Sequence, residues 1–96
     1  NNLRITGMLA LRDCIDMCDL TEQEVAAIAE EANLPPIVAV MVGCNLLRSQ
    51  GGLEHMRSML RNRAKRAVDR GDHDSAATHL RTYEDFRRRC PQPIRD

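Results

Sequence analysis

Residues 21–47 read TEQEVAAIAEEANLPPIVAVMVGCNLL, and this stretch decides the fold. Thr21-Glu22-Gln23-Glu24 has the form of a capping box. The Thr21 hydroxyl accepts from the amide three residues on, and the Glu24 side chain reaches back to the amide of Thr21. Two acidic residues in the first turn also suit the positive end of a helix. Val25, Ile28, Ala29 and Ala32 then recur at helical spacing and form a buried face. The helix is expected to stop near Asn33, because Pro35 disfavours helical geometry at Leu34. Pro35-Pro36 opens the next helix, since proline is tolerated in a first turn. That helix is read over 36–48, and it is apolar on nearly every side. A helix without a polar face does not suit the surface of a small monomer. It is expected to be central, or to meet a second copy through Ile37, Val38, Met41 and Val42.

Working outward, Ile5, Met8, Leu11, Ile15 and Cys18 form one stripe, which predicts a helix over 5–18. On the other side, Gly51-Gly52 reads as a helix break. A helix over 53–70 follows, with Leu53, Met56, Leu60, Ala64, Ala67 and Val68 inward and Gly71 as its left-handed cap. Asp72 or Asp74 caps a last helix to about Arg89, with Ala76, His79, Leu80, Tyr83, Phe86 and Cys90 on its inner side. Cys90-Pro91 ends it, and residues 91–96 are expected to be a loose tail. The fold class is therefore all-α: a compact bundle of about five short helices with a hydrophobic central helix, in one domain over 1–96.

The composition agrees. The chain has 96 residues, 43% of them hydrophobic, and only Tyr83 and Phe86 are aromatic. Helix formers dominate. The longest apolar run, Ile37 to Leu47, is too short for the ~20 residues that span a bilayer, so no membrane partner is expected. Without a visible signal peptide, Cys14, Cys18, Cys44 and Cys90 are read as free thiols of a cytoplasmic protein, packed as core residues. Cys14 and Cys18 are four apart on one helix face. A thiolate metal site is the alternative reading for that pair, although no CxxC or zinc-finger spacing is present.

The formal net charge is zero, but it is unevenly placed. Residues 1–47 carry two basic and seven acidic groups, and residues 48–96 carry 12 basic and seven acidic. Such a dipole favours head-to-tail contacts or an acidic protein partner. Arg57, Arg61 and Lys65 line up at spacing four, and Arg63, Arg66 and Arg70 make a second row. These rows are the candidate basic patch, for an acidic protein surface or for nucleic-acid phosphates. Their competing role is to dock the protein's own acidic half.

Ala26-x-x-x-Glu30-x-Ala32-Asn33-Leu34-Pro35 resembles the first helix and turn of a repressor headpiece. The second helix, as the reader, would offer Pro36, Ile37, Val38, Ala39, Val40 and Met41, none of which reads a base edge. Ala64, Ala67, Gly71-Asp72, Ala76 and Leu80 resemble one tetratricopeptide-type hairpin, but a solenoid needs about three repeats. No nucleophile–base motif, phosphate loop or zinc-protease motif is present, so neither catalysis nor a cofactor is expected. The acidic groups of residues 13–31 are assigned to outer helix faces, with ordinary acidity.

One resemblance spans about a third of the chain. Asp13-Cys14-Ile15-Asp16-Met17-Cys18-Asp19-Leu20-Thr21, then Glu24-Val25, Ile28-Ala29-Glu30, Leu34-Pro35 and Ile37-Val38-Ala39, is similar to a set of small uncharacterised bacterial proteins. It implies a bacterial origin and a helical fold, and no activity. The functional expectation is a non-catalytic interaction or regulatory module that forms a homodimer or higher oligomer through its apolar helix. Thiolate metal binding and an Arg-rich nucleic-acid regulator are the alternatives.

Overall fold

The computed structural model describes residues 18–91 and is all-helical over that range. The expected helix over 5–18 falls almost wholly outside the described residues, as does the tail beyond Pro91. Four helices follow one another: α1 (Glu22–Ala32), α2 (Pro36–Leu46), α3 (Gln50–Asp69) and α4 (His73–Arg89).

Each boundary has a local cause. At α1, Thr21 Oγ1 accepts from the Glu24 amide at 3.2 Å, and Glu24 Oε1 accepts from the Thr21 amide at 3.1 Å. The helix ends at Asn33, which takes a left-handed backbone (φ 54°) and lets the Leu34 amide reach the Ala29 carbonyl. Asparagine tolerates that conformation better than most residues. Pro35 and Pro36 then start α2, which leaves α1 at a bend of 103°. No single helix among the described residues is long and apolar enough to cross a membrane.

The start of α3 departs from the sequence reading. Gly51-Gly52 does not break the chain but lies in the first turn, with Ser49 as cap: its hydroxyl accepts from the Gly52 amide at 3.0 Å. Glycine is required at 52 for closeness. A Cβ there would collide with the Leu46 carbonyl at the end of α2. The two glycines thus seat α3 on α2, at the helix-propensity cost that made them look like a break. Gly71 does take the left-handed conformation expected of it (φ 74°), and Asp72 caps α4 by accepting from the Ser75 amide at 3.2 Å. That hydrogen bond holds the Asp72 carboxyl below its ordinary pKa.

The helices α3 and α4 form an antiparallel hairpin, in which Arg57 reaches Cys90 and Arg63 reaches His79. The core joins this hairpin to α1 and α2 through Leu20, Val25, Ala27, Ile28, Ala39, Val40, Met56, Leu60 and Phe86. Each fully buried Leu- or Phe-sized side chain contributes about 1.5–3 kcal/mol. Three residues assigned inward face outward instead: Ala32 of α1 is exposed, and Val68 and Leu80 are 63% and 53% exposed. They sit at the edges of their stripes, where one helical position moves a side chain from core to solvent. Thr82 takes an inner place on α4 and donates its hydroxyl to the Thr78 carbonyl at 3.0 Å. A buried hydroxyl is tolerated when it is satisfied in that way.

The expectation of free thiols is also corrected. Cys18 and Cys44 form a disulfide, with their Cα atoms 5.4 Å apart, while Cys90 keeps its thiol. Nothing in a spacing of 26 announces this bond. It depends on the 103° bend, which folds α2 back toward the start of α1.

Candidate interaction surface

Within α2, buried and exposed residues fall on opposite sides. Ala39, Val40 and Gly43 point into the core. Ile37, Val38 and Met41 point outward, 40%, 36% and 65% exposed. Successive α-helical residues rotate by about 100°, so these three side chains share one arc. Asn45, also exposed, lies on the same arc. Apart from Asn45, the outer face of α2 is thus apolar, and it carries no charge, which is unusual for an exposed helix. Val42, the fourth candidate interface residue, is half-buried. It lines a groove of about 490 Å³ with Ile28, Leu46, Met59 and Arg66.

The six candidate basic residues do not form one surface. Arg63 is buried, where its Nη2 donates to Glu30 at 2.9 Å and its Nη1 meets His79 Nδ1 at 3.1 Å. Its Nε is buried without a hydrogen-bond partner. Arg66 pairs with Glu31, and Arg70 lies 3.7 Å from Asp72. Arg57 donates to the Cys90 carbonyl at 3.3 Å. Arg61 and Lys65 are exposed. Much of the charge read as a docking patch therefore meets carboxylates of the same chain: Glu30 and Glu31 of α1 with Arg63 and Arg66 of α3. Burial, followed by the Arg63 charge, lowers the pKa of His79. The neutral imidazole is the form that accepts from an arginine.

Glu24 overturns the placing of the acidic groups on outer faces. It is fully buried, and it forms an ion pair with Arg89 from the far end of the chain. Burial raises its pKa, with the Thr21 amide and the Arg89 charge acting against that rise. Arg89 also donates from Nη1 to the Asp19 carbonyl at 2.8 Å and from Nε to Asp85 at 3.0 Å. The capping box marked Glu24 in the sequence. No local signal linked it to Arg89, because the two are 65 residues apart.

The disulfide takes Cys18 away from the thiolate pair with Cys14, and Cys14 itself lies outside the described residues. Among the described residues, no group of three or more His, Cys, Asp or Glu side chains could hold a metal ion. The disulfide also removes the free-thiol ground for a cytoplasmic location, since such bonds persist mainly in oxidising compartments. No family model, curated protein or solved structure matches this chain.

Proposed function

We propose that this chain is a non-catalytic interaction module that self-associates through the outer face of α2. The observation that carries this reading is the exposure of Ile37, Val38 and Met41 on a helix with no charged residue. Contiguous exposed apolar surface marks interaction sites, and methionine adapts its shape to the partner it meets. The face is uncharged, so two copies meet there without like-charge repulsion. In the assembled protein α2 becomes the central helix of the bundle. The ion pairs of Arg63, Arg66 and Arg70 support a structural role for the arginine rows over phosphate binding.

Native mass spectrometry and light scattering of the full chain test this. The wild type is expected to form a dimer or larger species at high concentration. Met41→Glu should return it to monomer mass, with helicity unchanged and monomer stability within about 0.5 kcal/mol, as for most exposed positions. A wild-type chain that stays monomeric at its solubility limit overturns the proposal, and so does a Met41→Glu chain that keeps the wild-type mass.

A further inference from the structure

Three of the four cysteines line one cavity. A cavity of about 520 Å³ is lined by Cys18 and Cys44, joined as a disulfide, and by the free thiol of Cys90. Leu47 and Leu53 form part of its apolar wall, and Asp19, Arg48 and Arg89 supply charge. A second contact fixes Cys18 relative to Cys90. Arg89, next to Cys90, donates to the carbonyl of Asp19, next to Cys18, at 2.8 Å. From the other side of Cys90, Arg57 of α3 donates to its carbonyl. The backbones bearing both sulfurs are thus held by hydrogen bonds.

The geometry points to a thiol–disulfide exchange site, in which Cys90 attacks Cys18 and displaces Cys44. The Cys90 thiol first gives up its proton. Its thiolate forms a bond to the Cys18 sulfur, the Cys18–Cys44 bond breaks, and its electron pair leaves on Cys44. The Cys44 thiolate then takes up a proton. One disulfide and one thiol are present before and after, so the step needs no external oxidant or reductant. Its product ties the end of α4 to the chain before α1, and leaves α2 free of any covalent tie to that segment. The exchange is therefore a covalent choice between fastening α2 and fastening α4.

The attacking species is the thiolate, so the rate follows the ionisation of Cys90. Burial raises the pKa of Cys90. Arg89 of α4 and Arg57 of α3 favour its thiolate, and Glu24 of α1 and Asp19 before α1 oppose it. Arg48, between α2 and α3, lines the same cavity. Below that raised pKa, each pH unit increases the thiolate fraction about tenfold.

The test uses the full chain carrying Cys14→Ser, incubated anaerobically in its folded state at several pH values. Acid quenching, alkylation and double digestion with trypsin and a Glu-specific protease separate the three cysteines for mass spectrometry. A growing Cys18–Cys90 linkage, formed about ten times faster at pH 8 than at pH 7, is the expected result. The same chain with Cys44→Ser, oxidised with diamide, should close the Cys18–Cys90 bond within the monomer. Full alkylation of Cys90 in the folded Cys14→Ser chain at every pH and time overturns the proposal, whether or not the Cys44→Ser chain folds. A Cys44–Cys90 linkage in place of Cys18–Cys90 overturns the assigned direction of attack.

Discussion

The helices α2 and α4 reverse the usual link between apolar content and anchoring. All but two of the residues of α2 are apolar or glycine, yet only Ala39, Val40 and Gly43 are buried. The charged helix α4 also buries only three, Ala76, Thr82 and Phe86. The difference lies in how the rest of each helix is held. Around α4, Phe86 is a large side chain wholly inside the core, Arg63 reaches His79, and Arg89 reaches Glu24 and the Asp19 carbonyl. Small core residues seat α2, and it is fastened by the Cys18–Cys44 bond and by Gly52 against Leu46. Hydrophobicity alone thus ranks the two helices in the wrong order. Side-chain size at a few inward positions, with polar ties at the ends, ranks them correctly.

The largest effect that would break this comparison is at α4. Phe86→Ala should cost about 3–5 kcal/mol, from lost transfer energy and the cavity left behind. Urea denaturation measures it, and a loss below 1 kcal/mol would mean that α4 is not anchored by this ring. Next comes the covalent fastening of α2. Replacing both Cys18 and Cys44 by Ser should cost about 3 kcal/mol and lower Tm by roughly 15 °C, mainly by freeing the unfolded chain. An unchanged melting curve under non-reducing conditions would mean that the bond does not form in solution.

The smallest effect sharpens the account of the α3–α4 hairpin. In the fold the pKa of His79 is lowered, so protonation opposes folding. Its contribution is present above the ordinary histidine value of about 6.5 and is lost as the pH falls below it. His79→Asn should remove this part of the pH dependence. The stability advantage of the wild type over that variant should shrink as the pH falls through 6.5 toward the lowered folded value. An advantage that holds constant over that range would show that His79 does not titrate in this way.

Much of the helical order was legible because its signals are local. The capping box at Thr21, the proline pair at 35 and 36, and the left-handed Gly71 all act within one turn of where they stand. What escaped was set by distant parts of the chain. Gly52 reads as a helix breaker until Leu46 is seen beneath it. Glu24 reads as a surface cap until Arg89 closes over it. Cys18 and Cys44 read as separate core thiols until the 103° bend brings them together. The interface candidates Ile37, Val38 and Met41 were picked out by hydropathy, and the structure adds which arc of the helix they occupy. The arginine rows were visible as spacing, but spacing carries no information about which carboxylates they meet.

The Cys18–Cys44 bond also changes the topology of the chain. It closes a covalent ring around α1 and most of α2, with the rest of the protein hanging from the knot between the two sulfurs. A protease that cuts the exposed turn around Asn33 opens the ring but releases nothing, and the two pieces run as one chain until a reductant is added. Exchange with Cys90 would redraw that ring to take in nearly the whole described chain, so that any single cut between Cys18 and Cys90 would leave the fragments joined.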